Sequence, residues 1–178
     1  MTVRIVITGP ECTGKTTLAA SLATAIGAPW VPEASRAYAG RVAREGRGLT
    51  ARDVSPIARA QLAAEDAALA GAPALVVLDT DLLSTVAYAE HYFGLDVAWI
   101  NEAARARRGD LYLLCAPDIP WEADGVRDRP AAREEMFALF QRVLRRSGAN
   151  VTGVRGLGPA RLDAALRAVR PLLAEART

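Results

Sequence analysis

The sequence predicts a three-layer α/β/α fold around a five-stranded parallel sheet. Three observations lead there. Short apolar, β-branched runs alternate along the whole chain with longer stretches of helical period. Helices regularly inserted between strands make the strands parallel and cover the sheet on both faces. The 178 residues suit a domain with its own core, and no repeat, linker or shift in composition divides them, so residues 1–178 are expected to form a single domain.

The first strand is "VRIVIT" (Val3 to Thr8), which stops at Gly9-Pro10. Lys15 to Ile26 carries apolar residues at helical spacing and ends at Gly27. A short extended piece, Pro29 to Pro32, precedes the helical "EASRAYAGRVAREG". Thr50 as an N-cap, with Asp53 three residues on, opens a helix running to about Leu69. Ala74 to Asp79 is a buried strand, followed by a helix from Leu82 to Phe93 that Gly94 ends. The lone His91 falls late in that helix, as a surface or last-turn residue. Val97 to Arg107 is helical and Leu111 to Cys115 a strand. Ala116 to Pro130 is rich in Pro, Asp and Arg without a sustained period, and reads as a loop. "REEMFALFQRVLRR" is an amphipathic helix, Asn150 to Val154 the last strand, and Pro159 to about Glu175 the closing helix.

Composition excludes several classes. A formal charge of +2 is close to neutral, so charge does not call for nucleic acid. No apolar run approaches the roughly 18 residues of a membrane span. The N-terminus enters a strand without the charged region and cleavage site of a signal peptide. Cys12 and Cys115 have neither metal-like spacing nor the look of a disulfide framework. A cytoplasmic protein is expected, partnered by neither nucleic acid nor membrane. Cys12 lies just before a helix N-terminus, which can lower a thiol pKa; a small residue tolerated in a loop is the plainer reading.

Gly9-x4-Gly14-Lys15-Thr16 fits the phosphate-loop pattern G-x-x-x-x-G-K-[ST]. Its context fits too, since an apolar strand ends before it and a helix begins inside it. Glycines let successive N–H groups turn inward toward phosphate oxygens, and the helix N-terminus adds its positive dipole end. Lys15 is the only lysine in a chain with 21 arginines. A compact ammonium reaches the β- and γ-phosphates, whereas a forked, planar guanidinium is too bulky for a loop folded so tightly. Thr16 is expected to ligate Mg²⁺ through its hydroxyl, with Thr17 near the α-phosphate; ATP and Mg²⁺ are the cofactors implied. Gly9, Glu11, Cys12, Thr13 and Gly14 complete the loop.

"LVVLD" brings Asp79 to a strand's carboxyl end, where a carboxylate beside a phosphate loop holds Mg²⁺ through water. Asp81 fits a helix N-cap and a substrate contact equally. The sole lysine is already used, so an N-K-x-D guanine motif is impossible, and neither a D-x-x-G switch nor an L-S-G-G-Q signature occurs. What remains has the plan of a small-molecule kinase. In "PEASRAY", Glu33 stands at the end of the second strand, where one carboxylate can orient an acceptor hydroxyl and take its proton. Arg36, three residues later, lies on the same side of the next helical turn and can hold the sugar or the arriving phosphate. A lid over about residues 116–131 carries Arg127 and Arg129, with Arg133 just beyond; arginines there can stabilise the transferred phosphoryl group.

"GPECTGKTTL", "PEASRAY", "LDTDLLSTVAYAEHYFG" and "PWEADGVRDRP...RE", in that order and spacing, resemble the ribosylnicotinamide kinase domain of the bacterial bifunctional NAD-biosynthesis protein. They equally resemble the stand-alone AAA-type ATPase relatives grouped with it. The resemblance covers nearly the whole chain. It implies a P-loop NTPase of nucleoside-kinase type, strand order 2-3-1-4-5, that phosphorylates nicotinamide riboside to nicotinamide mononucleotide. It further implies that Lys15, Thr16 and Thr17 bind phosphate and Mg²⁺ and that Asp79 supports the metal. Glu33, Arg36 and Asp81 then face the substrate, with Tyr38 and Tyr88 among the aromatics available to its base, and Arg127, Arg129 and Arg133 close the lid. "VRGLGPAR" (Val154 to Arg161) matches the adenine-side loop, with Gly156 close to the base and Arg161 over it. The adenylyltransferase and DNA-binding domains of the full NAD-biosynthesis protein do not fit within 178 residues. Pro32 stands where those kinases carry an aromatic residue, and the helix with "QLAAEDAAL" has no aromatics. Another nucleoside or nucleotide acceptor, or a nucleotide switch without an acceptor, therefore stays open.

Overall fold

Five parallel strands lie in the order β2-β3-β1-β4-β5 in the computed structural model, which describes residues 2–118 and 130–175. They are β1 (Val3–Thr8), β2 (Trp30–Val31), β3 (Leu75–Asp79), β4 (Leu111–Cys115) and β5 (Val151–Val154). Helices α1 (Lys15–Ile26), α2 (Ala34–Arg44), α3 (Val54–Leu69), α4 (Leu82–Phe93), α5 (Ala98–Ala106), α6 (Pro130–Arg146) and α7 (Gly158–Glu175) fill the intervals. Every predicted strand and helix is present. Helix α6 opens three residues before the predicted start, with Pro130 at the first helical position, where a missing N–H costs nothing. Thr50 and Asp53 form the expected capping box, but it opens a 3₁₀ turn, Ala51–Asp53, that leads into α3.

Alternation along apolar strands splits the core into two layers. Ile5 and Ile7 of β1, Val77 of β3, and Leu111 and Leu113 of β4 pack with Leu18 and Leu22 of α1 and Val169 of α7. Val6, Val76, Leu78, Tyr112 and Leu114 point the other way, onto Val54 of α3, Leu82 and Val86 of α4, Ile100 of α5, and Phe140 and Leu144 of α6. Each fully buried side chain of this size contributes about 1.5–3 kcal/mol of transfer free energy. Among the described residues no helix is long and apolar enough to cross a membrane.

β1 pairs with β3 on one side and β4 on the other, with Ile7 opposite Asp79 and also opposite Leu113. The loops leaving the carboxyl ends of these neighbouring strands therefore meet above the sheet, where strand order gathers residues distant in sequence.

Candidate functional site

β1 turns at Gly9, whose φ is +134°. A Cβ there would sit 2.8 Å from the carbonyl oxygen of Cys115 on neighbouring β4. Both the backbone conformation and the space demand glycine. Gly9→Ala should cost about 1–3 kcal/mol of stability through strain and weaken nucleotide binding. Chemical denaturation beside a nucleotide titration checks both; unchanged affinity would show that the loop tolerates the displacement.

The loop folds on its own Pro10 carbonyl. Thr13, fully buried, donates its hydroxyl to that oxygen at 2.8 Å, and Lys15 Nζ donates to it at 2.7 Å. Gly14 takes the left-handed conformation directly before α1. The N-cap of α1 is Gly14, which has no side chain to cap the helix, so the first-turn N–H groups can serve an anion. Lys15 as a whole is only 6% exposed, and its ammonium can exchange the Pro10 carbonyl for phosphate oxygens. Glu11 and Cys12 are partly exposed at the crest and Thr17 is exposed on α1.

Thr16 donates its hydroxyl to Asp79 Oδ2 at 2.6 Å. Asp79 Oδ1 is buried and has no hydrogen-bond partner among the described residues. Burial pushes the Asp79 pKa up, opposed first by the Thr16 bond; the Glu33 charge also raises it, while Lys15 and Arg36 lower it. A hard divalent cation fits this arrangement: two oxygen groups together, one oxygen unsatisfied, and phosphate oxygens and water to complete the shell of a Mg²⁺ ion. Among the described residues no three His, Cys, Asp or Glu side chains cluster as a metal cage.

Glu33 ends the extended segment before α2, with its side chain 13% exposed. Its Oε1 accepts from Ser35 Oγ at 2.6 Å, and Arg36 Nε lies 3.8 Å from Oε2. Because β2 pairs with β3, with Val31 opposite Leu78, Glu33 and the start of α2 follow the edge strand at the same end of the sheet as Asp79. From the other side Tyr88 on α4 donates its hydroxyl to the Gly9 carbonyl at 3.5 Å, its ring stacked on Tyr92 and edge-on to Phe140. Arg133 on α6 reaches the Cys12 carbonyl at 3.4 Å. Arg127 and Arg129 lie outside the described residues.

Three predicted residues have a different place. Asp81 is a buried helix cap rather than a substrate-facing group: Oδ1 accepts from the N–H of Leu83 at 3.0 Å, and Oδ2 from the Tyr112 hydroxyl at 2.6 Å. Tyr38 is engaged at the α2–α3 junction, donating to Asp53 at 2.9 Å with Arg41 over its ring. Arg161 turns its side chain into the protein. Its buried guanidinium donates to the carbonyls of Gly156 (2.7 Å), Thr13 and Ala116 (3.2 Å) and pairs with Asp118, which also accepts the Gly156 N–H at 2.8 Å. It ties the phosphate loop to the loops after β4 and β5, with Gly156 held in the same knot.

Burial, helped by the Glu65 charge, pushes the Asp81 carboxyl up to about 6, against the Tyr112 and backbone bonds. An acid whose pKa is raised on folding binds more protons in the native state, so stability falls as pH rises from about 4 to 6 and is level above that. A rise of about two in pKa corresponds to about 3 kcal/mol. Asp81→Asn cannot titrate, so its stability minus that of the wild type should grow by up to that amount between pH 4 and 7, read from urea midpoints. Asp53, held far below the usual carboxylate range first by Arg47, acts in the opposite direction and cancels in the difference. A flat difference would place the Asp81 carboxyl at its ordinary pKa.

Sequence reasoning missed a polar chain beside the site, the buried Gln61 and Glu65 with the half-buried Arg4. The signal was present: Gln61 and Glu65 fall in step with Val54, Ile57 and Ala58 on the apolar stripe of α3. Polar residues at such positions are expected to have partners.

Comparison with known proteins agrees with this geometry. The sequence profile of the AAA domain family matches residues 4–161. The Trifunctional NAD biosynthesis/regulator protein NadR of Salmonella typhimurium is 29% identical over 124 residues, 69% of this chain and 30% of that protein. This chain thus spans under a third of that relative's length. The crystal structure of NadR protein in complex with NR superposes with a TM-score of 0.82 at 26% identity, covering 97% of this chain and 52% of that one. Thymidylate kinase from Ehrlichia chaffeensis, 13% identical, shares the fold with a TM-score of 0.68 over 96% of this chain and 98% of its own. The family match runs unbroken from β1 through the phosphate loop and Asp79 to Arg161, and the chain belongs to the AAA domain family.

Proposed function

We propose that the protein is an ATP-dependent kinase, acting as one domain over residues 1–178, that phosphorylates the 5′-hydroxyl of nicotinamide riboside to give nicotinamide mononucleotide. The observation carrying this reading is the pairing of β2 with β3, which sets Glu33, two residues past the end of β2, beside the carboxyl end of β3, where Asp79 accepts from Thr16 of the phosphate loop. The likeness to the NadR structure in complex with NR supports the choice of acceptor. An ATP requirement suits the cytoplasm, where a thiol such as the buried Cys115 stays reduced.

In this mechanism the loop N–H groups and Lys15 hold the donor phosphates, and Lys15 opposes the charge that develops during transfer. Thr16 and Asp79 are the residues that would hold a Mg²⁺ ion, which when bound would supply charge neutralisation to the donor phosphates. Glu33 accepts the acceptor hydroxyl in place of Ser35, fixes its line of approach and takes its proton. Arg36 holds the phosphate as it arrives, and Arg133 stands beside the crest of the loop. ADP formation with ATP, Mg²⁺ and a panel of nucleosides and nucleoside monophosphates tests the reading. Turnover dependent on nicotinamide riboside is expected. Turnover with a different acceptor would move the substrate assignment, and hydrolysis indifferent to every acceptor would make the protein a nucleotide switch.

A further inference from the structure

Gln61 sits on α3, 2% exposed, between two of the segments that form the site. Its Oε1 accepts the N–H of Ala34 at 3.2 Å, the peptide that follows Glu33. Helix α2 has no side-chain cap of its own, so this bond from another helix satisfies one of its orphan donors. Its Nε2 donates to the Thr80 carbonyl at 3.3 Å, in the peptide that joins Thr80 to Asp81 one residue beyond Asp79, and to Glu65 Oε1 at 3.1 Å. Thr80 holds φ at +70°, a strained conformation for a β-branched residue that persists only where its surroundings enforce it.

The orientation of the amide is determined. Glu65, 1% exposed, is a carboxylate held by Arg4 and can only accept. It therefore takes an N–H from Gln61, the second N–H meets the Thr80 carbonyl, and the amide oxygen is left for Ala34. Turning the amide over would set oxygen against oxygen at Thr80 and N–H against N–H at Ala34. Arg4 and Glu65 thus serve as the anchor that keeps this short bridge in one state.

We propose that Gln61 is a positioning residue for phosphoryl transfer: one amide, bonded to the N–H of Ala34 next to Glu33 and to the carbonyl of Thr80 next to Asp79, sets the spacing between the acceptor carboxylate and the phosphate site. The proposal rests on the kinase reading. Among the described residues the Gln61 amide bonds to Ala34, Glu65 and Thr80 and not to the phosphate loop, so its loss is expected to act on transfer more than on donor binding. A misplacement of about 1 Å at such a distance costs up to about 100-fold in rate.

The test uses Gln61→Met and Gln61→Glu in the full chain, with ATP, Mg²⁺ and nicotinamide riboside. Gln61→Met should lower acceptor-dependent kcat about tenfold or more, leave the KM for ATP within about twofold, and speed hydrogen exchange at the Ala34 amide. Gln61→Glu places an acceptor-only group against Glu65 and the Thr80 carbonyl at neutral pH, with Arg4 and Asp81 the other charges nearby. Once protonated it regains one donor while its carbonyl oxygen accepts from Ala34. Its activity relative to wild type should therefore rise as pH falls. Normal kcat in Gln61→Met, or unchanged Ala34 exchange in an active background, overturns the proposal. Equal losses in kcat and ATP affinity, or a Gln61→Glu ratio flat with pH, also overturn it, reducing Gln61 to a packing residue. A wild type without acceptor-dependent turnover instead overturns the kinase reading beneath it.

Discussion

Lys15→Ala should reduce phosphoryl transfer by about 10³-fold or more, the scale expected when a preorganised charge at the transferred group is removed. The structure makes this a test of chemistry rather than of folding. Lys15 is buried, but its ammonium donates to the Pro10 carbonyl, an oxygen that Thr13 also satisfies. Truncation removes that bond and leaves the fold of the loop to Gly9, Gly14 and Thr13. Thermal stability should therefore move little while turnover collapses. Lys15→Arg sharpens the result. In a chain with 21 arginines, an Arg that worked in this position would show the lysine to be incidental. A planar guanidinium in a slot 6% exposed and closed by Pro10 should restore little of the activity. Lys15→Arg turnover near wild type, at unchanged ATP affinity, would refute the geometric account of the lone lysine.

How much of the fold and site was legible in the sequence depends on how far apart along the chain each feature's partners lie. The strands could be read because their cause is local: apolar, β-branched runs bounded by Gly and Pro. Asp79 could be read for the same reason, as a carboxylate ending such a run. The short edge strand was overestimated, since only Trp30 and Val31 pair with β3, and the flanking prolines have no N–H to offer a ladder. Asp81 stayed divided between cap and substrate contact because the deciding group, Tyr112, comes 31 residues later and reads locally as a plain strand residue. Arg161 was beyond sequence reasoning. Its acceptors include main-chain carbonyls 148 and 45 residues away, and carbonyls carry no sequence signature. Gln61 falls between these cases: its position on an apolar stripe signals a buried polar group, but the peptides it joins are identified only by the packing of α3 against the sheet.

The acceptor side depends on Glu33, and Glu33→Gln should lower turnover by about 10²-fold or more with nucleotide binding intact. Glutamine preserves the size of the side chain and can still accept from Ser35, so the extended segment before α2 keeps its shape. Arg36 loses its ionic partner, but at 3.8 Å and 65% side-chain exposure that pair contributes little. What disappears is the negative charge and the capacity to take a proton. The sign of the effect on the donor side comes from the charges around Asp79. Glu33 raises the Asp79 pKa, so removing its charge favours the ionised carboxylate and lessens repulsion toward the donor phosphates. The KM for ATP should hold or fall slightly while kcat drops, the pattern of a group whose contribution is made in the transition state. A parallel loss of ATP affinity would instead mark Glu33 as part of the donor site's framework. Turnover close to wild type would end its assignment as the acceptor-facing base, and Arg36 would then be the residue to test for holding the acceptor.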